Sequence, residues 1–274
     1  MSTRIITIIN RKGGVGKSTT SASLTCNIVR NPTEWFPCPS VSLIDADPQG
    51  DLTTLLRIGF KENPMTTKDA LIRLMGPHWP AYGIGGERYT LLFTPSNEEL
   101  DDIETDVRRI GENIFQLVRR KLEFIYTNFA IINCSPSFRS LNKAFIAASD
   151  YVIIPTLSEP LALESVQKTV SLVNQIAEEN KIRYPDSNIR IPRVLGILIC
   201  RDEDFNINKD TKAILRDAYP DLVFNTVIRK TVLMESDVLR GMLKDPLAKN
   251  TAAADYRDFT LEVLTRITQI ENGK

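Results

Sequence analysis

The sequence has little cysteine and histidine, with four cysteines and one histidine among 274 residues. The cysteines stand at positions 26, 38, 134 and 200, and no two of them have metal-ligand spacing. This scarcity argues against a disulfide scaffold or a Cys/His zinc motif, and it predicts reduced thiols in a reducing compartment. The lone histidine, His78, lies beside Trp79 in a proline-rich stretch, and we assign it no catalytic role.

The chain also lacks net charge and long apolar runs. Lys plus Arg number 34 and Asp plus Glu number 34, so the formal net charge is zero. A balanced chain has no overall field that draws it to nucleic acid or acidic lipid, and such binding would need a local patch. No apolar run approaches the roughly 20 residues that span a bilayer. Because the N-terminus also lacks a signal-peptide pattern, we expect a cytoplasmic protein.

Predicted strands alternate with predicted helices along almost the whole chain. This alternation predicts an α/β fold with a doubly wound, mostly parallel sheet and helices on both faces, in a single domain over residues 1–274. Loop excursions are predicted at 31–39 and 58–88, the second with a short helix near 67–75. The predicted strands are 4–9, 41–44, 89–94, 129–133, 151–155, 193–200 and 222–228. The predicted helices are 17–30, 51–57, one or two within 97–127, 140–149, 164–180, 209–219 and 252–270.

A glycine-rich turn at residues 11–19, RKGGVGKST, joins the first strand to the first helix. Glycines let the backbone approach phosphate oxygens and aim its N–H groups at them, and the helix N-terminus adds partial positive charge. Lys17 supplies a full charge for the terminal phosphates, and the hydroxyl of Ser18 suits Mg²⁺. The turn therefore predicts a site for nucleotide phosphates and Mg²⁺, and the family resemblance described below implies that the nucleotide is ATP/ADP. Its phosphate-binding residues are Gly13, Gly14, Val15, Gly16, Lys17, Ser18 and Thr19.

Two carboxylates follow the second predicted strand. Asp45 ends that strand and Asp47 comes two residues later. At the carboxyl end of a parallel strand beside a phosphate turn, such side chains face the ligand crevice. The alternative is that Asp47 only caps a helix in an Asp-Pro-Gln-Gly turn.

The glycine turn resembles the deviant Walker A motif of the ParA/MinD group of P-loop ATPases, through KGGVGKST at 12–19. LIDADPQGDLT at 43–53 is similar to that group's second motif, specifically in its ParA-type partition members. Further similarity covers LFTPSN at 92–97 and the stretch from Phe129 to Glu164, with VIIP at 152–155 and LALE at its end. The resemblance spans nearly the whole chain apart from the two loop excursions.

The resemblance implies an ATPase in which two ATP molecules are held between two protomers of a homodimer. It implies that Lys12 reaches across the interface to the partner's nucleotide, that Lys17 holds phosphate, that Asp47 orients the attacking water, and that Asp45 supports the Mg²⁺ shell together with Ser18. Lys12 as a merely solvated side chain is the alternative. We expect adenine contacts from the loops around residues 200–201 and 228–233, including Arg201 and Ile228.

One position departs from the family pattern. The strand at 129–133, FAIIN, should end in the Walker B aspartate but ends in Asn133, which keeps the shape and loses the charge. We therefore expect ATP binding to survive and hydrolysis to be slow. An ATP-gated scaffold with negligible turnover is the alternative.

The resemblance further implies that the protein positions or segregates plasmid, chromosome or other cargo, with a ParB-like or other adaptor that stimulates hydrolysis. Partition ATPases bind DNA without sequence preference, which would place this protein on the nucleoid, and Arg229 and Lys230 are the candidate contacts here. A solvated charged loop is the alternative, and a second basic position of the family corresponds to Phe205.

Two rival functional classes fit the sequence less well. A MinD-like membrane-cycling ATPase needs a basic amphipathic tail, whereas residues 258–274 carry three acids and two bases, so we do not expect membrane binding. An iron–sulfur reductase needs a second cysteine beside Cys134, which stands alone after its strand. A small buried side chain is the expected role of Cys134.

Overall fold

A central eight-stranded sheet organises the protein. The computed structural model describes residues 3–30, 37, 39–56, 64–72, 81–84, 90–159, 162–185, 189–203, 206–230 and 251–273. The strand order is β3-β4-β2-β5-β1-β6-β7-β8, and all neighbours run parallel except β3, which pairs antiparallel with β4 at one edge. The strands are β1 Arg4–Ile8, β2 Ser40–Ala46, β3 Tyr82–Ile84, β4 Thr90–Thr94, β5 Phe129–Cys134, β6 Tyr151–Leu157, β7 Arg193–Asp202 and β8 Val223–Arg229.

Helices cover both faces of this sheet. One apolar core lies under α3 to α8, and the other lies under α1, α2 and α9. None of the helices within the described residues has the length and hydropathy needed to cross a bilayer. The helices are α1 Lys17–Arg30, α2 Asp51–Leu56, α3 Thr67–Ile72, a 3-10 helix at Glu98–Asp102, α4 Ile103–Arg109, α5 Ile114–Leu122, α6 Ser140–Ala147, α7 Ala162–Arg183, α8 Asn206–Ala218 and α9 Thr251–Glu271.

The central strands are apolar on both faces because both faces are covered. All six residues of β5 are buried, and successive side chains alternate between the cores: Ile131 enters the core under α1, whereas Ile132 enters the core under α5. Burial on both sides is why parallel strands read as continuous runs of β-branched residues rather than as an alternating pattern. The two cores share one sheet, so α1 and α5 pack against opposite sides of the same strands.

The predicted doubly wound, mostly parallel sheet is confirmed. The prediction for 58–88 was wrong in one part, because β3 is an edge strand within a stretch that we expected to be a loop. The short helix predicted there is α3, and the helical stretch 97–127 divides into the 3-10 helix, α4 and α5. Several positions of the predictions lie outside the described residues: 31–36, 38, 57–63, 73–80, 85–89, 205 and 231–250.

The strand order also positions a crevice. From β1 the chain winds outward to β2 on one side of the sheet. It later crosses from β5, the neighbour of β1 on that side, to β6 on the other side of β1, so the direction of winding reverses at β1. In open parallel sheets the carboxyl ends of the strands at such a reversal form the ligand crevice. The segments that follow β1, β2, β5 and β6 therefore meet at one edge of the sheet.

Candidate functional site

The glycine turn between β1 and α1 is open toward solvent. Gly14 and Gly16 have φ of 72° and 90°, in the left-handed region that glycine adopts without strain. A Cβ placed on Gly13 or Gly14 would meet nothing within 4 Å, whereas Val15 between them and the helix is fully buried. The buried valine anchors a turn whose exposed backbone leaves room for a ligand.

Lys17 points its charge into this turn. Lys17 is only 7% exposed, and its ammonium donates to the carbonyl of Lys12 at 3.3 Å. Burial lowers the pKa of Lys17, and the nearby negative charge of Asp47 opposes that effect. Ser18 and Thr19, both half-buried, follow in the first turn of α1, which carries no acidic residue. A buried ammonium at a helix N-terminus is suited to an anion such as a phosphate.

The far side of the turn packs closely on the sheet. A Cβ on Gly16 would lie 3.5 Å from the Sγ of Cys200. The Oγ1 of Thr20 shares a hydrogen bond of 3.1 Å with the hydroxyl of Tyr256, which is buried on α9. Burial raises the pKa of Cys200 to about 12, so this thiol is protonated at neutral pH. These contacts fix the start of α1 against β7 and α9.

Asp45 is fully buried at the end of β2, and four donors engage its carboxylate. Its Oδ2 accepts from the backbone N–H of Thr53 at 2.9 Å and from the Thr53 hydroxyl at 2.7 Å. Its Oδ1 accepts from the backbone N–H of Asp47 at 3.2 Å and from the amide of Asn133 at 3.1 Å. Burial raises the pKa of Asp45 to about 6, although these hydrogen bonds lower it in part. A metal ion bonded directly to Asp45 would have to replace one of these donors.

Asp47 lies in the tight turn that follows. One of its oxygens accepts from the backbone N–H of Gln49 at 3.1 Å, and its carbonyl accepts from Gly50 at 2.9 Å. Burial raises the pKa of Asp47, and both the Gln49 hydrogen bond and the charge of Lys17 oppose that shift. The residue lines a groove of about 800 Å³ between the 46–49 turn, the 3-10 helix with α4, and the segment 135–142. Asp47 therefore combines a turn conformation with access to a ligand-sized groove.

Asn133 stands beside Asp45 because β2 and β5 are neighbours in register. The two residues are direct partners in the parallel ladder. Asn133 donates its amide N–H to Asp45 and accepts from the hydroxyl of Ser21 at 3.3 Å. The position at which the family pattern has a carboxylate thus holds a buried amide, whose nitrogen and oxygen each have a hydrogen-bond partner.

Lys12 is paired within its own chain. Its ammonium lies 2.6 Å from Glu159, in the segment after β6, and its backbone N–H donates to Asn10 at 3.1 Å. Its neighbour Arg11 places its guanidinium 6.0 Å from the ring centre of Phe138. Sequence reasoning missed Asn10, Thr53 and Glu159 as partners of the site. The position of Glu159 near Lys12 could have been predicted, since the carboxyl ends of β1 and β6 meet at the same edge of the sheet.

The remaining predicted residues lie farther along the sheet, at the ends of β7 and β8. Arg201 is exposed with φ of 53°, and Ile228 is 3% exposed with its side chain in the core under α9. Arg229 donates to Asp255 at 2.6 Å, and Lys230 forms an ion pair with Glu203. The structure therefore gathers the glycine turn, Asp45, Asp47 and Asn133 around β1, and places the candidate DNA-binding cations three strands away at the sheet edge.

The rival metal chemistry has little support in this geometry. Cys134 is fully buried, and burial raises its pKa far above the usual range of a thiol. Within the part of the chain that the structure describes, no group of three or more His, Cys, Asp and Glu side chains could hold a metal ion. An iron–sulfur centre at Cys134 would also need a reachable thiolate, which this burial does not provide.

Comparison with known proteins identifies the family of the chain. The family described as "AAA domain" matches residues 3–184. The chain is 28% identical to the sporulation initiation inhibitor protein Soj of Bacillus subtilis, over 95% of this chain and 98% of Soj. It is also 28% identical to the chromosome partitioning protein ParA of Caulobacter vibrioides, over 84% of this chain and 81% of that protein.

Solved structures share the fold. A Cyanothece McdA variant in complex with ATP has a TM-score of 0.79 at 20% identity, covering 97% of this chain and 98% of that one. A plasmid partition protein of Borrelia burgdorferi bound to AMPPNP has a TM-score of 0.73 at 23% identity, covering 97% and 99%. Cobyrinic acid a,c-diamide synthase of Mycobacterium smegmatis with ADP and magnesium has a TM-score of 0.75 at 23% identity, covering 99% and 97%. The chain belongs to the AAA domain family and, within it, to the ParA-type partition ATPases of the ParA/MinD group of P-loop proteins.

Proposed function

We propose that this protein binds Mg-ATP at the glycine turn, forms a homodimer around two ATP molecules, and hydrolyses ATP slowly with stimulation by an adaptor. Through this cycle it positions or segregates a DNA or protein cargo in the cytoplasm. The observation that carries the proposal is the buried ammonium of Lys17 in an open glycine turn. A cation buried there at the start of α1 is most stable with an anion beside it.

The residues of the turn fit a nucleotide triphosphate. The backbone of Gly13 to Gly16 would donate to the phosphate oxygens, Lys17 would neutralise their charge, and Ser18 with Thr19 would complete the phosphate and metal contacts. Bound Mg²⁺ would neutralise charge that develops on the phosphates. Because all four hydrogen bonds to Asp45 are internal, we propose that Asp45 supports the metal site from behind. The exposed Arg201 remains a proposed adenine contact, whereas a contact from Ile228 could come only from its backbone, because its side chain lies in the core.

Asp47 is the proposed residue that orients the attacking water. It is close enough to Lys17 for each charge to affect the other's pKa, and it lines the groove between the 46–49 turn, α4 and the segment 135–142. Phosphoryl transfer depends mainly on positioning and on charge neutralisation, so one placed carboxylate is enough for slow turnover. The neutral Asn133 leaves one carboxylate fewer at this site than the family pattern has.

The test measures ATP affinity and phosphate release separately. Lys17→Ala should weaken ATP binding about 10- to 100-fold, since a charge-assisted hydrogen bond contributes roughly 1.5–3 kcal/mol. Asp47→Asn should keep ATP affinity within about threefold and lower turnover at least tenfold. The exposed Asp217→Asn on α8 is the matched control and should change neither. A Lys17→Ala variant that binds ATP as the parent does would refute the proposed phosphate site.

A second candidate, an ATP-gated scaffold, is supported by Asn133 alone. It predicts that the parent binds ATP and dimerises but releases no phosphate, with or without an adaptor. The same phosphate-release assay therefore separates the two candidates.

A further inference from the structure

A continuous hydrogen-bonded chain links the phosphate-binding helix to the Asp47 turn. The hydroxyl of Ser21 on α1 lies 2.9 Å from the carbonyl of Lys17 and 3.3 Å from the Oδ1 of Asn133. The Nδ2 of Asn133 then donates to Asp45, whose same oxygen accepts from the backbone N–H of Asp47. Ser21, Asn133 and Asp45 are each 0% exposed, so water does not take over any of these bonds.

The polarity of this chain fits an amide at its centre. An ionised Asp45 can only accept, so the neighbour on β5 has to present a donor to it. The Ser21 hydroxyl has one hydrogen, which the Lys17 carbonyl at 2.9 Å and the Oδ1 of Asn133 at 3.3 Å share, so an acceptor at position 133 suits this side. Asparagine presents both. An aspartate of the same shape would accept from Ser21 but would face Asp45 with a second carboxylate oxygen.

The second oxygen of Asp45 cannot take over as the acceptor of the Asn133 amide. It is held from the opposite side by the N–H and the hydroxyl of Thr53, at the start of α2. Asn133 and the Asp47 backbone share the other oxygen, so rotating or displacing Asp45 away from Asn133 also moves the acceptor of the Asp47 N–H. A change at position 133 therefore reaches the turn that carries Asp47 through Asp45.

We propose that Asn133 is a positioning residue for hydrolysis, whose side-chain amide ties Asp45, and through it the Asp47 turn, to the phosphate-binding helix. This inference rests on the proposed ATPase function, and within that function it assigns the positioning of the Asp47 turn to Asn133. It predicts that this chain is built around the amide, so that installing the family's aspartate at position 133 impairs the reaction. The view of Asn133 as a weakened Walker B residue predicts the reverse.

The experiment compares Asn133→Asp and Asn133→Leu with the parent in steady-state ATP turnover. Asn133→Asp should lower kcat at least about tenfold with KM within about threefold, since small misplacements of a reacting group cost about this much or more. Asn133→Leu, which offers neither donor nor acceptor, should lose at least as much. The matched control is Asn180→Asp, a buried amide on α7 that donates to the carbonyls of Ala147 and Arg190. It should leave kcat per folded protein unchanged.

Two results would overturn the inference. One is an Asn133→Asp variant that turns over as fast as the parent or faster. The other is a rapidly exchanging Asn133 side-chain amide in the NMR spectrum of the nucleotide-free protein, where we expect a protected amide signal that disappears in Asn133→Asp. The NMR result does not depend on catalysis. A parent that fails to bind ATP while showing the protected amide would therefore refute the proposed function and leave the hydrogen-bonded link intact.

Discussion

The ammonium of Lys12 lies 2.6 Å from the carboxylate of Glu159, across the crevice between the segments that follow β1 and β6. Lys12 is the residue that the family resemblance assigns to the partner's nucleotide, so in the single chain its charge already has an internal partner. The two side chains are 28% and 54% exposed, and pairs of this kind contribute only about 0–1 kcal/mol. The contact can therefore restrain Lys12 and still be broken by a polyanion.

The first prediction follows from that competition. Glu159→Gln should lower the ATP concentration needed for half-maximal dimerisation by up to about fivefold, because it removes the internal partner of Lys12. Lys12→Ala should abolish ATP-dependent dimerisation. Analytical ultracentrifugation across an ATP titration measures both.

Glu164→Gln is the control for this pair, because it removes an exposed helix-surface partner of Lys168 on α7. It should leave the dimerisation curve unchanged. Unaltered dimerisation of Lys12→Ala would contradict the cross-interface role of Lys12.

The second prediction separates two glycines by function. Gly13→Ala should keep the melting temperature within about 2 °C and weaken ATP binding, since its Cβ meets nothing in the protein but occupies space proposed for phosphate. Gly196→Ala on β7 should keep the phosphate site but lower the melting temperature by roughly 3–10 °C, because its Cβ would lie 2.4 Å from the Cε2 of Phe224. Thermal unfolding without nucleotide and ATP titration test both. Normal ATP affinity in Gly13→Ala would argue against the phosphate cradle.

The third prediction concerns pH and Asp45. Its pKa of about 6 in the folded protein lies above the ordinary carboxyl value, so the folded state binds the proton more tightly than the unfolded state does. The stability that Asp45 contributes is therefore fully present below about pH 4 and is lost as the pH rises through 6, by an amount on the order of 3 kcal/mol.

Thermal unfolding of the parent and of Asp45→Asn, without nucleotide and with a chelator, measures this effect. The stability of the parent relative to the variant should fall between pH 4.5 and 7.5. A difference that stays flat or rises over this range would show that Asp45 is not a buried, proton-binding carboxyl.

The fourth prediction concerns DNA. Arg229 and Lys230 are paired with Asp255 and Glu203, so any contact with DNA phosphates has to replace these partners. If each cation contacts one phosphate, Arg229→Ala and Lys230→Ala should each reduce the slope of log affinity against log salt by about 0.9 in the ATP state. Lys168→Ala is the control. Slopes that match the parent in both variants would place the DNA contact elsewhere or remove it.

Much of the fold could be predicted because parallel strands leave a plain signal. Runs such as Phe129 to Asn133 are buried on both faces and bounded by turns, so their positions and the doubly wound fold class followed from pattern alone. Strand β3 could not be predicted, since Tyr82–Ile84 is three residues long, lies in a proline- and glycine-rich stretch, and depends on pairing with β4. Its strand conformation comes from that tertiary contact.

The same distinction applies to the site. The glycine turn and Lys17 are local in sequence, so their spacing alone was enough to predict a phosphate site there, and that site stays a prediction. The partners of Asp45 are not local: Asn133 lies 88 residues away and is brought beside it by the register of β2 and β5. Glu159 likewise meets Lys12 across 147 residues. Sequence reasoning identified Asn133 as a departure but could not show which groups its amide would bind.

ATP-dependent dimerisation is best measured as the mass of the parent in solution with Mg-ATP and with Mg-ADP, alongside phosphate release in the same samples. We expect twice the chain mass in ATP, the single-chain mass in ADP, and slow release of phosphate that returns the dimer to monomers. A protein that keeps one mass in both nucleotides would contradict the ATP-dependent dimer on which the proposed cycle depends.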